Sequence, residues 1–212
     1  MSNKRHIFKD PRSFFGSADV EGMKAGTNLI LQRAAKVAKS KVNVWIGEGI
    51  LSVSDDGEML KIERAADSLV DHYYCAFNQP LDLDCDNFGL DEESMPTLVN
   101  YCSSFMNIKV CGYNDSSRGV EYVLKFKHGL PTSNAPEQSY TKIVKSGTGV
   151  DWTFDSSLFY HHTSDIPYSY FHEKLCELSL QYPQKQFVLC IQNDITKPEE
   201  ATVYVYQNGE KN

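Results

Sequence analysis

The sequence predicts an α+β fold, a two-layer sandwich in which helices pack on one face of a mixed β-sheet. In several segments apolar residues recur at three- and four-residue steps, which is typical of amphipathic helices with one buried face. Other segments alternate apolar and polar residues, as half-buried strands do. Because the strands outnumber the helices and do not alternate with them strictly, a mixed two-layer arrangement is the natural way to bury both.

Four helices are predicted from their apolar stripes, near residues 24–39, 61–77, 91–104 and 167–181. The stripe is longest in the second of these segments, which we therefore expect to be a helix that faces the core. The first segment carries its lysines on the face opposite its apolar residues. Each helix is expected to bury one side against the sheet and to expose the other.

Strands are predicted where apolar residues alternate or run continuously, and a hairpin where two such stretches flank the turn-forming residues 114–117. The stretch 187–191 is continuously apolar, as expected of a central strand. Long loops are predicted at 78–88 and 129–147, which are rich in turn-forming residues. The predicted strands are 42–46, 51–53, 108–113, 120–127, 150–154, 187–191 and 202–206.

The composition excludes several classes of protein. The chain has 212 residues, of which 41% are hydrophobic, enough to bury the core of a folded domain. A net charge of −7 makes it a poor partner for DNA phosphates, so we expect no direct DNA binding. We also expect a cytoplasmic protein, because no apolar run could span a membrane and the N-terminus lacks a signal peptide. The cysteines form no Cys-x-x-Cys pair, and His172-Glu173 lacks the second histidine of a helical zinc motif, so no metal site is expected.

Four short motifs occur in an order that is similar to that of a known family. They are a strand ending in Asp55-Asp56-Gly57, a Phe88-Gly89-Leu90 turn, a His128-Gly129-Leu130-Pro131 turn after the hairpin, and a Ser146-Gly147-Thr148-Gly149 strand. In this order and spacing they resemble the ATP-binding domain of DNA gyrase B and topoisomerase IV B subunits, which belong to the GHKL ATPase superfamily. The resemblance covers residues 42–207 and implies the same type of fold.

The resemblance implies four nucleotide-binding positions. In the family an aspartate accepts a hydrogen bond from the adenine amino group, and Asp55 matches it. A threonine on the Gly-Thr strand supports that contact, and Thr148 matches it. Gly57 would leave room for the base, and Gly89 would begin the glycine-rich lid over the phosphates. The alternative interpretation of Asp55 and Thr148 is structural, as a turn at a strand end and a cross-strand hydroxyl.

The catalytic groups of the family do not carry over. Its first helix supplies a glutamate as general base and an asparagine that coordinates Mg²⁺, whereas residues 24–41 include five basic residues and no acidic one. Asn28 cannot replace the base, because an amide does not take up a proton at neutral pH. After Gly89 the chain places acidic residues 91–93, which we expect to cap a helix start and to repel a triphosphate. No catalytic residue, metal ligand or cofactor is therefore predicted, and ATP with Mg²⁺ would bind weakly at best.

Two functions of different class follow. The first is a degenerate gyrase B-like domain that acts as a non-catalytic binding or regulatory module on a protein partner, either a topoisomerase-like subunit or a second copy. The alternative is the nucleotide-binding domain of a divergent ATP-dependent type II topoisomerase B subunit, in which a carboxylate from elsewhere, such as Glu21, would have to supply the base. Residues 24–212 would form the domain and residues 1–23 an N-terminal arm, like the one through which the family dimerises. The aromatic residues of this arm have a second interpretation, simple packing on the domain's own core.

Overall fold

The computed structural model describes residues 10–64, 73–82, 85–113, 118–141, 145–192, 197 and 200–211. Within these ranges the chain forms one mixed sheet of ten strands and a separate pair of two-residue strands. The strands are β1 (Lys41–Gly47), β2 (Ile50–Asp55), β3 (Glu63–Arg64), β4 (Tyr73–Tyr74), β5 (Ser103–Tyr113), β6 (Gly119–Lys127), β7 (Leu130–Pro131), β8 (Glu137–Thr141), β9 (Gly147–Phe154), β10 (Gln186–Ile191), β11 (Thr202–Gln207) and β12 (Glu210–Lys211).

The large sheet has the strand order β12-β11-β10-β1-β2-β9-β5-β6-β7, with β8 also paired to β6. β1 and β10 run parallel, so that Val44 lies opposite Leu189, whereas β1 and β2 form an antiparallel hairpin. β2 is antiparallel to β9 on its other side. This order brings the end of β2 next to the start of β9, where Asp55 and Thr148 are partners across the ladder.

The α-helices among the described residues are α1 (Arg12–Phe15), α2 (Val20–Val37), α3 (Thr97–Tyr101), α4 (Ser156–Phe159) and α5 (Tyr168–Gln181), with 3₁₀ segments at Asp86–Gly89 and Thr163–Asp165. α2 begins where the Asp19 carboxylate accepts hydrogen bonds from the backbone N–H groups of Glu21 and Gly22, which a helix start leaves unpaired. It therefore starts earlier than predicted and includes Glu21. α5 occupies the predicted segment. None of the described helices combines the length and the apolar content needed to cross a membrane.

The helices pack mainly on one face of the large sheet, which confirms the predicted fold class. Alternate strand residues point to this face and are buried, as Val42, Val44 and Ile46 of β1 illustrate. They join the apolar sides of α2 and α5, such as Ile30 and Leu175, in a single core. The removal of these side chains from water drives the packing of the two layers.

The predicted helix over residues 61–77 is wrong at both of its described ends. The chain there forms the short antiparallel strands β3 and β4, and residues 65–72 lie outside the described ranges. After β4 the chain turns, because the backbone N–H of Asn78 donates a hydrogen bond to the Cys75 carbonyl oxygen at 3.1 Å, and Cys75 and Phe77 are buried there. The apolar residues of this segment suit both periods, and at its described ends the chain pairs as two short strands instead of forming a helix.

The predicted helix over residues 91–104 is longer than the one observed. α3 is only five residues long, because the chain forms turns before Pro96 and enters β5 after Cys102. Proline disfavours helical backbone in the residue that precedes it, which accounts for the late start. The predicted hairpin is confirmed as β5 and β6, although its turn residues 114–117 lie outside the described ranges. The predicted loop at 129–147 contains the strands β7 and β8, which extend this hairpin.

The described part of the N-terminal segment packs on the domain itself. The Phe14 and Phe88 rings meet edge to face with their centroids 4.8 Å apart, and the Phe15 ring stacks on Phe159 at 6.2 Å. Residues 1–9 lie outside the described ranges. Phe14 and Phe15 therefore follow the second interpretation of the arm, in which its aromatic side chains pack on the domain's own core.

Candidate functional site

A cleft of about 930 Å³ lies beside the C-terminal half of α2. Its walls are α2, the strands β3 and β4 with the segments beside them, and the turns that follow the 3₁₀ segment Asp86–Gly89. α2 contributes Arg33 and Val37 to the lining, and Leu60 and Leu90 come from the facing walls. A volume of this size lies within the range of small-molecule sites in proteins.

Asp55 and Thr148, the two positions matched to adenine contacts, lie side by side but do not line the cleft. The Asp55 carboxylate accepts a hydrogen bond from the backbone N–H of Gly57 at 2.9 Å. Burial raises the pKa of Asp55, and the hydrogen bond from Gly57 and the charge of Arg33 oppose that rise. The Thr148 side chain is buried, and its Oγ1 has no hydrogen-bond partner among the described residues. A half-buried carboxylate thus sits beside an unsatisfied hydroxyl, and both residues line a separate pocket of about 660 Å³.

The two predicted glycines have different surroundings. A Cβ atom at Gly57 would lie 2.5 Å from the Val37 carbonyl oxygen, so the protein backbone fills the space that the prediction reserved for the base. Gly89 has a φ of +70°, a left-handed conformation that favours glycine, and it lines the cleft. The fold therefore brings Asp55, Gly57 and Thr148 together and places Gly89 separately, on the cleft wall.

Asp56, the middle residue of the Asp-Asp-Gly motif, has a structural role that sequence reasoning missed. Its carboxylate accepts hydrogen bonds from the backbone N–H groups of Lys39, Ser40 and Lys41 at 2.9, 2.9 and 3.0 Å. Partial burial alone would raise the pKa of Asp56, but these bonds and one from the Ser40 hydroxyl outweigh it and lower the pKa to about 2. The carboxylate thereby holds the turn between α2 and β1, from which Lys39 lines the cleft.

Arg33 is the cleft residue that sequence reasoning did not single out. Its guanidinium lies over the Phe77 ring, 4.9 Å from the ring centroid. Its Nε is buried and has no hydrogen-bond partner among the described residues. Burial lowers the pKa of Arg33, and the negative charge of Asp55 opposes this effect. A signal was present in the sequence, because Arg33 lies three residues after Ile30 and four before Val37, next to the apolar stripe of α2.

The acidic residues Asp91, Glu92 and Glu93 do not start a helix, so the prediction that they cap one is wrong. α3 begins further along the chain, and the Asp91 carboxylate instead accepts hydrogen bonds from the backbone and hydroxyl of Ser94. Glu92 forms an ion pair with Lys36 of α2 at 2.9 Å, and Glu93 approaches the same ammonium group at 4.0 Å. Asp91 and Glu93 line the cleft and make this wall acidic.

α2 presents no general base to the cleft. Its one carboxylate belongs to Glu21, in the first turn of the helix. A helix rises about 1.5 Å per residue, so Glu21 lies about 18 Å along the axis from Arg33. The Glu21 side chain is 70% exposed and forms an ion pair with Lys24 at 2.6 Å. It therefore faces solvent, remote from the cleft.

Within the described ranges, no group of three His, Cys, Asp or Glu side chains is placed to hold a metal ion. No protein-family model matches the chain, and no curated protein matches it. The function must therefore be inferred from the cleft and from the residues that carry the resemblance to the GHKL superfamily.

Proposed function

We propose that the chain is a non-catalytic relative of the GHKL ATPase domains and works as a binding or regulatory module, with the cleft as its binding site. Two features support the relationship. α2 leads into the antiparallel pair β1 and β2, which ends in the Asp-Asp-Gly motif, in the order of the family's elements. Asp55 and Thr148 are partners across β2 and β9, as the adenine contact of that family requires.

The observation that carries the loss of catalysis is the set of side chains that α2 contributes to the cleft. These are Arg33 and Val37, and neither can accept a proton from an attacking water at neutral pH. A general base must lie within hydrogen-bond reach of that water. Glu21 is excluded as the base because its carboxylate is paired with Lys24. It also lies about 18 Å from Arg33 along the helix axis. We therefore expect a site that binds a ligand without hydrolysing it by the family's mechanism, in which the first helix supplies the base.

Phosphate release from ATP in the presence of Mg²⁺ tests this proposal. The purified protein should release phosphate at the background rate, and Glu21→Gln should not change that rate. Turnover that Glu21→Gln abolishes would put the base in the first turn of α2 and overturn the proposal. Turnover that survives this change would also overturn it, and would direct the search to the carboxylates that line the cleft, such as Glu58 and Glu63.

A protein is the partner that we propose for such a module, either a topoisomerase-like subunit or a second copy of the chain. The net charge of −7 supports a protein partner over DNA, because the duplex is itself an anion. Light scattering on the purified protein separates the two candidates. A dimer mass would favour a second copy of the chain as the partner. A monomer mass at high concentration would favour the topoisomerase-like subunit.

A nucleotide-binding domain is a second candidate, and one observation favours it. The Thr148 hydroxyl is buried beside Asp55 without a hydrogen-bond partner among the described residues, which costs free energy unless a ligand or water satisfies it. A purine would, however, have to displace the Val37 carbonyl from the space beside Gly57. Titration calorimetry with ATP distinguishes the candidates, since heat of binding that Asp55→Asn abolishes would establish a nucleotide pocket. If ATP binds only after residues 91–93 are replaced by Gly-Ser-Gly, the carboxylates of these residues are what prevents ATP from binding to the natural sequence.

A further inference from the structure

Among the described residues, none accepts a hydrogen bond from the Arg33 guanidinium in the cleft. Its Nε is buried and unpartnered, and no hydrogen bond or ion pair between described residues engages the group. A guanidinium carries five N–H donors in a planar fork. Burial of the Nε–H donor without an acceptor costs free energy, and an oxyanion bound to the guanidinium would offset that cost through charge-assisted hydrogen bonds.

The Phe77 ring beneath Arg33 holds the guanidinium in place. The ring is 1% exposed and belongs to the core, so it forms a rigid platform. The guanidinium carbon lies 4.9 Å from the ring centroid, a distance at which the cation is attracted to the ring face. The N–H groups of a guanidinium lie in its plane, so an arginine that stacks on an aromatic ring can still donate hydrogen bonds to a ligand. The geometry is therefore preorganised to bind a planar or tetrahedral oxyanion.

The remaining walls of the cleft restrict the ligand to a small molecule with one anionic group. Val37, Leu60 and Leu90 supply apolar surface. The lining residues that are charged at neutral pH are three cations, Arg33, Lys39 and Lys61, and four carboxylates, Glu58, Glu63, Asp91 and Glu93. Carboxylates thus exceed cations, so a ligand with several negative charges is repelled while a single charge beside Arg33 is balanced.

We propose that Arg33 is an anion subsite, and that the cleft takes a small organic molecule carrying one carboxylate or phosphate on an apolar or aromatic body. The oxyanion accepts two hydrogen bonds from the guanidinium, and the body lies against the apolar wall. This inference rests on the proposed use of the cleft as a binding site. It does not depend on the loss of catalysis.

Titrations followed by the backbone amide NMR signals of the full chain test the ligand chemistry. The probes are benzoate, phenyl phosphate and benzamide, at constant ionic strength, and benzamide is the neutral isostere of benzoate. We expect saturable shifts at Leu60 and Gly89 with at least one anionic probe, and an affinity at least about tenfold lower for benzamide than for benzoate or phenyl phosphate, whichever binds more tightly. The tighter of the two anions identifies carboxylate or phosphate as the preferred group.

Two variants isolate the contribution of Arg33. Arg33→Gln removes the charge and should weaken binding of the tighter anion at least about tenfold. Lys39→Gln is the matched control, because it removes another cation of the cleft lining, and it should weaken binding less than about threefold. If circular dichroism shows that Arg33→Gln is unfolded, Arg33→Lys keeps the charge without the planar fork and should still lower the affinity.

Three results would overturn the inference. One is equal affinity for benzamide and the tighter anion, which would leave the cleft a binding site without an anion subsite. Another is an equal effect of Arg33→Gln and Lys39→Gln, which would mean that only net charge matters. The third is no saturable shift with any probe. ATP turnover is a separate readout, because it would overturn the proposed function without bearing on Arg33.

Discussion

Replacing Asp56 by asparagine should destabilise the domain in a way that depends on pH. The carboxylate accepts hydrogen bonds from three consecutive backbone N–H groups, those of Lys39, Ser40 and Lys41, and so holds the turn between α2 and β1. Asparagine keeps one acceptor oxygen but loses the negative charge on which charge-assisted bonds depend. The pKa of Asp56 is lowered from an ordinary 3.8 to about 2, which measures how strongly the folded state prefers the charged form.

The size of the effect follows from that pKa. A fall of this magnitude corresponds to about 2 kcal/mol, and solvent screening of a partly exposed carboxylate reduces it to about 1 kcal/mol. Because the folded pKa is depressed, this stabilisation is present above about pH 4 and is lost as the pH falls towards about 2. At pH 7 the melting temperature of Asp56→Asn should therefore be roughly 2–4 °C lower than that of the wild type.

Thermal melts at pH 7 and below pH 3 measure both parts of this prediction. Asp151→Asn is the matched control, because Asp151 lies in β9 and its neighbours on the same strand, Val150 and Trp152, are the buried ones. The control should change the free energy of unfolding by no more than about 0.5 kcal/mol. The reasoning is refuted if Asp56→Asn loses the same stability at both pH values, or no more than the control loses at pH 7.

Three further predictions concern packing and burial. Lys185→Met should lower the free energy of unfolding, measured by urea denaturation, by about 1–3 kcal/mol, because the buried ammonium donates hydrogen bonds to backbone carbonyls at the end of α2. Gly57→Ala should cost about 1–3 kcal/mol because its Cβ would lie 2.5 Å from the Val37 carbonyl oxygen, whereas Gly149→Ala, with its nearest atom at 3.8 Å, should cost less in the same assay. Asp55→Asn should maintain or raise the melting temperature at pH 7, because burial raises the pKa of Asp55 and penalises its charged form; this advantage should disappear below about pH 4.

Elements with a single unambiguous period could be predicted from the sequence. The stripe of α5 places Phe171, Leu175 and Leu178 on one side, and all three are buried against the sheet. The segment 61–77 could not be predicted in this way, because its apolar residues fit both the helical and the extended period. At its described ends the pairing of β3 with β4, which joins residues far apart in the segment, decides between the two.

The candidate site was predictable only in part. The motifs of the GHKL resemblance led to Asp55 and Thr148, and the structure places the two together across a ladder that sequence spacing alone could not define. Arg33 and Phe77 lie on segments far apart in the chain, so no local pattern relates them. The role of Asp56 depends on a turn between α2 and β1 whose N–H groups converge only in the folded state.

The melting temperature of the purified protein with and without millimolar ATP and Mg²⁺ tests the central claim most directly. We expect it to be nearly unchanged, because the space beside Gly57 is filled and the cleft lining carries more carboxylates than cations. Ligand at a hundred times its dissociation constant would add about 2.7 kcal/mol, which is roughly 5–10 °C for a domain of this size. A rise of that size that Asp55→Asn abolishes would contradict the account and establish a working nucleotide pocket.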